Sequence, residues 1–200
     1  MKKSIISHVV GKPKLIGIVA NVNEGKSNLI YHLIDDTIKN YKTKVFAYGL
    51  RCSVKGVTSI HSVEELEEIK NSLIIIDEFM SLFDLDNRKQ KKMIENTFRL
   101  INHNNNILIL CGLGENYKKF IANKLDAVIF KKVSYGDFIN GSHIKNICHN
   151  YCGDEKGSKV LSLDKGEALI FDGKSYHKHE IPYLKKYDSK QKNIEIFKKK

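Results

Sequence analysis

A series of short, almost wholly apolar runs, each followed by a stretch of helical spacing, constrains the fold of this 200-residue chain more than any other feature. Leu15-Ile16-Gly17-Ile18-Val19-Ala20 opens the series; Lys44-Val45-Phe46-Ala47-Tyr48, Leu73-Ile74-Ile75-Ile76-Asp77, residues 107–111 and residues 127–130 continue it. Such runs have no polar face to offer water, so they suit strands buried on both sides. Between them, Leu29, Ile30, Leu33, Ile34 and Ile38 recur at helical spacing within 27–41. Met93, Ile94, Thr97, Phe98 and Ile101 do the same within 87–102, and 115–124 reads as a further helix. Ser62 and Glu65 form a capping-box pattern ahead of Leu66 and Ile69. This order predicts an α/β fold of three layers, a mainly parallel sheet with helices on both faces. After Val133 the pattern changes to a helix over 138–151 and a C-terminal β-hairpin, with arms 159–163 and 167–171 around Asp164-Lys165-Gly166.

The first strand runs directly into Ala20-Asn21-Val22-Asn23-Glu24-Gly25-Lys26-Ser27, and a helix follows. This segment matches the phosphate-loop pattern G-x-x-x-x-G-K-[ST] except that Ala20 replaces the first glycine. Backbone N–H groups from Asn21 through Val22, Asn23, Glu24, Gly25, Lys26, Ser27 and Asn28, with the positive end of the helix dipole, are placed to surround phosphate. Lys26 is expected to neutralise the β- and γ-phosphates of ATP, and Ser27 to offer its hydroxyl to Mg2+.

The apolar strand that ends Ile76-Asp77-Glu78 supplies the second half of the constellation. It delivers Asp77 to the carboxyl edge of the sheet, where it can join the Mg2+ shell, and puts Glu78 in reach of an attacking water. A strand ending in Asp-Glu is weak evidence by itself; downstream of a phosphate loop in a strand of this type it is strong.

Together the two motifs resemble the P-loop NTPases that carry a catalytic Glu beside the Mg2+-binding Asp, the division that includes RecA-like and AAA+ proteins. In order and size, residues 14–175 look most like the FtsK–HerA-type DNA translocases and the viral genome-packaging ATPases. The segment 125–132 is similar to the fifth strand of those proteins, and Lys165-Gly166-Glu167-Ala168-Leu169 to the hairpin that closes many translocase domains. The resemblance implies a homo-oligomeric ring acting on double-stranded DNA. It also implies that Arg99, on the helix after the Asp-Glu strand, acts as a finger in the neighbouring subunit's site, with Arg88 in reserve and Arg51 a weaker candidate. The family pattern asks for a polar sensor at the end of the 107–111 strand; here Cys111-Gly112 stands there, and Asn116 is the nearest replacement.

Thirty-four basic against 23 acidic residues leave a net charge of +11. Such an excess favours polyanions, although an AT-rich coding sequence yields lysine as well, and arginine occurs only at positions 51, 88 and 99. No apolar run approaches the roughly 20 residues needed to span a bilayer, and the basic N-terminus is interrupted too early for a secretory signal. Cys52, Cys111, Cys148 and Cys152 sit in elements of different predicted type, which suggests no disulfide framework and a reducing cytoplasm (or a virion, for a viral protein). Cys148 and Cys152 share a helical face while His149 points elsewhere, which favours packing over zinc, and His177 and His179 read as a solvated strand edge. Residues 1–184 are expected to form the ATPase domain, and the lysine-rich 185–200 a frayed tail suited to phosphate contacts. A small-molecule kinase and a nucleotide-binding adaptor with little turnover stay open as alternatives.

Overall fold

The apolar runs are strands of one sheet, and their lack of a polar face is explained by what covers them. The computed structural model describes residues 14–84, 86–112, 119–133, 135, 158–172 and 175–187. Among these the strands are β1 (Lys14–Val19), β2 (Lys44–Tyr48), β3 (Val57–Ser59), β4 (Ser72–Asp77), β5 (Ile107–Gly112), β6 (Ala127–Phe130), β7 (Glu167–Phe171) and β8 (Tyr176–Glu180). They form an eight-stranded sheet in the order β3-β2-β4-β5-β1-β6-β7-β8. Pairing is parallel from β3 to β6; β7 and β8 are antiparallel.

Each face has its own core. On one, Ile16, Ile18, Ile75, Ile109 and Ile129 pack against Leu29, Ile30, Leu33 and Ile34 of helix α1 (Lys26–Asp36). The short turns α2 (Glu65–Glu68) and α3 (Phe79–Leu82) precede helix α4 (Arg88–His103) on the other face. There α4 presents Ile94, Phe98 and Ile101 to Val19, Ile74, Ile76, Leu108 and Phe130. The Asn87 side chain caps α4 by accepting from the backbone N–H groups of Lys89 and Gln90. The Glu65 carboxylate accepts from the N–H groups of His61 and Ser62 at 3.0 Å, the reciprocal half of the capping box. A last helical turn, α5 (Lys119–Ala122), falls within the helix expected at 115–124.

The C-terminal hairpin is present, but its arms are β7 and β8. The expected first arm is instead a 3₁₀ turn over Ser158–Ser162. Val160 and Leu163 are both buried in the core on the α4 face, three residues apart. A strand would send them to opposite faces, whereas a three-residue turn puts them on one. The expected helix over 138–151, with Cys148, Cys152, His143 and His149, lies outside the described residues, as does Asn116. His177 and His179 lie half-buried on the edge strand β8.

Candidate functional site

The carboxyl edge of the parallel strands gathers most of the residues singled out in the sequence. β1 ends at Val19, the loop 21–25 crosses the edge, and α1 departs from Lys26. Ala20 is buried, so the methyl in place of the expected first glycine is accommodated inside the core. Asn23 and Gly25 take left-handed backbone conformations, with φ of 65° and 82°. A side chain at position 25 would also meet the Lys165 carbonyl at a tight 3.2 Å, so conformation favours glycine there and space adds to it.

β5 lies between β1 and the carboxylate strand β4, and the loop and Asp77 meet across its end. Lys26 Nζ stands 2.7 Å from Asp77 Oδ1, and both side chains are largely buried. That oxygen is buried and takes no conventional hydrogen bond, so the ammonium is its counter-charge. Glu78 follows in a left-handed conformation, φ 52°, which costs a non-glycine residue about 1–2 kcal/mol. The strained residue points an exposed carboxylate into the same cleft, where Arg51 Nη2 lies 4.0 Å from Glu78 Oε1. Gly49, at the exit of β2, packs its backbone against the Asp77 carbonyl.

Cys111 is the register partner of Asp77 on β5. Burial, and then the Asp77 charge, hold its thiol well above the ordinary range, only partly offset by Lys26. It therefore stays a neutral thiol where the family pattern has a polar sensor. Arg99 is not brought to this edge. It lines a separate depression with Leu15 and Asp126, at the amino ends of β1 and β6. α4 runs from the carboxyl edge, where Arg88 begins it, back toward the start of β5, so this chain does not present Arg99 to its own phosphate loop.

Two groups of residues escaped the sequence reading. Lys131, directly after β6, is fully buried behind the loop. Its ammonium donates to the carbonyls of Lys165 at 2.7 Å and Glu167 at 2.5 Å, tying the turn before β7 to the underside of Gly25. Burial lowers its pKa to about 8, against the opposing pull of Glu24 and Glu167. A lysine immediately after an apolar strand was the available signal. The second group is the segment Pro182–Tyr187, which crosses α1. The Asn28 side chain donates to the Pro182 carbonyl at 3.0 Å and accepts from the Leu184 N–H at 2.9 Å. Loop, carboxylate edge and this segment enclose a cleft of about 720 Å3, within the range of small-ligand sites.

Among the described residues no helix is long and apolar enough to cross a membrane. No protein-family model matches the chain, and no curated protein matches it by sequence. Solved structures do. The genome packaging NTPase B204 of Sulfolobus turreted icosahedral virus 2, in complex with ATP-gammaS, superposes with a TM-score of 0.67 at 18% identity, over 88% of this chain and 100% of that one. The B204 DNA-packaging ATPase of Sulfolobus turreted icosahedral virus gives 0.66 at 16% identity, over 87% and 100%. ATPases 2 and 3 of EssC from Geobacillus thermodenitrificans give 0.58 at 12% identity, over 87% of this chain and 37% of that one. With β1 and β4 flanking β5 in a mainly parallel sheet closed by an antiparallel hairpin, the chain has the α/β fold of these packaging NTPase and EssC ATPase structures.

Proposed function

We propose that this chain is a Mg2+-dependent ATPase that moves double-stranded DNA as a homo-oligomeric ring, in the manner of a viral genome-packaging motor. One observation carries the reading: Lys26, at the start of the helix that follows β1, and Asp77 and Glu78, at the end of β4, line or flank a single cleft, with Lys26 and Asp77 2.7 Å apart. The fold shared with the packaging NTPase and with the ATPases of EssC supports the choice of a motor over a kinase.

The donor set suits Mg2+. The buried Asp77 Oδ1, without a conventional hydrogen bond, and the Ser27 hydroxyl at the start of α1 are hard oxygen donors. Bound there, Mg2+ supplies positive charge to the β- and γ-phosphate oxygens. Lys26 exchanges Asp77 for phosphate oxygens as ATP enters, while the N–H groups of the loop and of the first turn of α1 hold the phosphates. Glu78 orients a water for in-line attack and takes its proton as the new P–O bond forms and the bond to the β-phosphate oxygen breaks, leaving ADP and phosphate. Arg99 of a neighbouring subunit stabilises the charge on the transferring oxygens.

The test is phosphate release from ATP measured alone, with linear double-stranded DNA, and with a panel of nucleosides as phosphate acceptors. Hydrolysis that DNA stimulates supports the motor. Phosphorylation of a nucleoside, or no hydrolysis under any condition, overturns it.

A further inference from the structure

The turn over 164–167 packs directly on the phosphate loop, since a Cβ on Gly25 would stand 3.2 Å from the Lys165 carbonyl. Its position is enforced by a buried charge. The fully buried Lys131 donates to the Lys165 and Glu167 carbonyls, and an ammonium is tolerated in a core only where hydrogen bonds replace its water. Further bonds close the turn itself. The Asp164 N–H donates to one oxygen of the Glu167 carboxylate at 3.0 Å, and Lys178 pairs with the other at 2.8 Å. The Glu167 N–H donates to the Asp164 carbonyl at 2.8 Å, and the Ile181 N–H to the Gly166 carbonyl at 2.6 Å. The backbone of Lys165 is therefore fixed relative to the loop before any ligand arrives, which lowers the ordering cost of binding.

Lys165 is exposed and lines the cleft, and among the described residues its ammonium makes no ion pair. Glu167, two residues on, is engaged by Lys178 and the Asp164 N–H. Among the described residues that line the cleft the one carboxylate is Glu78, and it lies 4.0 Å from Arg51. Sheet order separates these charges. β2 and β4, which lead to Arg51, Asp77 and Glu78, are on one side of β1; β6 and β7, which hold Lys131 and the 164–167 turn, are on the other. Lys26 is paired with Asp77 on the first side, so the uncompensated positive charge of the loop's surroundings is Lys165 on the second. A triphosphate whose γ end is turned toward Asp77 and Glu78 runs along the loop away from β4 and brings its α end toward this turn.

Resting on the ATPase reading above, we propose that Lys165 binds the α-phosphate of the nucleotide, the phosphate that Lys26 and the metal site do not serve. A lysine ammonium on its flexible stem is a point charge suited to a phosphate oxygen, and it makes no demand on the base. The site then has two basic elements with separate tasks. Lys26 acts where charge moves during hydrolysis, whereas Lys165 meets an α-phosphate whose charge is the same in ATP and ADP. Lys165 therefore contributes to holding the nucleotide and not to the bond-breaking step. Its ligand requirement is a third phosphoryl group beyond the two that the loop and Mg2+ address. ATP and inorganic tripolyphosphate meet that requirement and pyrophosphate does not.

Calorimetric titration of the full chain with the β,γ-methylene analogue of ATP, with inorganic tripolyphosphate and with pyrophosphate, each with Mg2+, tests this. Lys165→Met should weaken the ATP analogue and tripolyphosphate alike, by about 10- to 150-fold, the range of a lost hydrogen bond to a charged group. Pyrophosphate, which fills the β and γ positions, should stay within about two-fold. Lys165→Arg, which keeps the charge, should hold all three within about three-fold of wild type. Unchanged affinity for the ATP analogue in Lys165→Met removes the residue from the site. A loss for the ATP analogue but not for tripolyphosphate shows a contact with base or sugar and overturns the phosphate assignment. A matching loss for pyrophosphate shows that the substitution deforms the loop, which also overturns it. These results leave the ATPase reading standing. Failure of the wild type to bind either the ATP analogue or pyrophosphate brings that reading down, and this proposal with it.

Discussion

Gly49→Ala probes how the sheet holds the candidate site. Gly49 has φ of +77°, a left-handed conformation that costs alanine about 1–2 kcal/mol. An added Cβ would also stand 2.6 Å from the Asp77 carbonyl oxygen, a backbone atom at the end of a buried strand. Overpacking of that kind costs roughly 1–3 kcal/mol. Together the two terms give about 2–5 kcal/mol, which for a domain of this size lowers Tm by about 4–20 °C. Gly56→Ala is the control. Its φ is +86°, but its Cβ would meet only the flexible end of Ile38, at 3.4 Å, so it should cost the conformational part alone. The backbone can relieve the clash at position 49 by shifting Asp77, whose carboxylate is 2.7 Å from Lys26 Nζ. ATP turnover should therefore fall in Gly49→Ala, measured well below Tm, and stay near wild type in Gly56→Ala. Equal loss of stability in the two variants, measured by urea and thermal unfolding, would refute the clash. Full turnover in Gly49→Ala would refute its link to the site.

Three further outcomes are expected. Arg99→Ala should bind ATP but not turn it over, and mixing it with Lys26→Ala should restore activity where an intact loop meets an intact arginine; full activity of Arg99→Ala alone removes the residue from the mechanism. Lys131, with a folded pKa of about 8 against an ordinary 10.5, loses its proton in the folded chain before the unfolded one. Stability of the wild type relative to Lys131→Met should therefore rise from about pH 8 to pH 10.5, read from urea unfolding at stepped pH. DNA binding by the +11 chain should be independent of sequence and fall with salt, with a log–log slope of about −0.9 per phosphate neutralised, in fluorescence titrations; no binding at low salt would return the charge to coding bias.

Much of this edge was legible because its signals are local. Buried parallel strands need continuous apolar runs, and Ile74-Ile75-Ile76 or Leu108-Ile109-Leu110 permits little else. A loop that must wrap phosphate leaves a short, ordered pattern of glycine, lysine and hydroxyl. The arms of the hairpin were not legible to the same degree. Val160, Leu161 and Leu163 suit a strand by propensity, and only the spacing of the two residues buried in one core shows a 3₁₀ turn. Lys131 drew no role of its own within the segment 125–132, because nothing local shows that two carbonyls some 35 residues away will take its ammonium. The same holds for Asn28. Its backbone N–H was expected near phosphate, but nothing local shows that its side-chain amide holds residues 182–184, more than 150 positions distant. The first residues of the expected tail, Lys185–Tyr187, form a turn against α1 for a like reason, since the Tyr31 and Asp35 they meet are remote in sequence.

The most direct test is the rate of phosphate release from ATP by Glu78→Gln beside wild type, with Mg2+ and with ATP binding measured on both proteins. Glutamine keeps the shape of the side chain but cannot take the proton of the attacking water, so release should slow by about 10²–10⁴-fold while ATP binds as before. Release within a few-fold of wild type would contradict the assignment of Glu78, and with it the reading of this edge as a hydrolytic site.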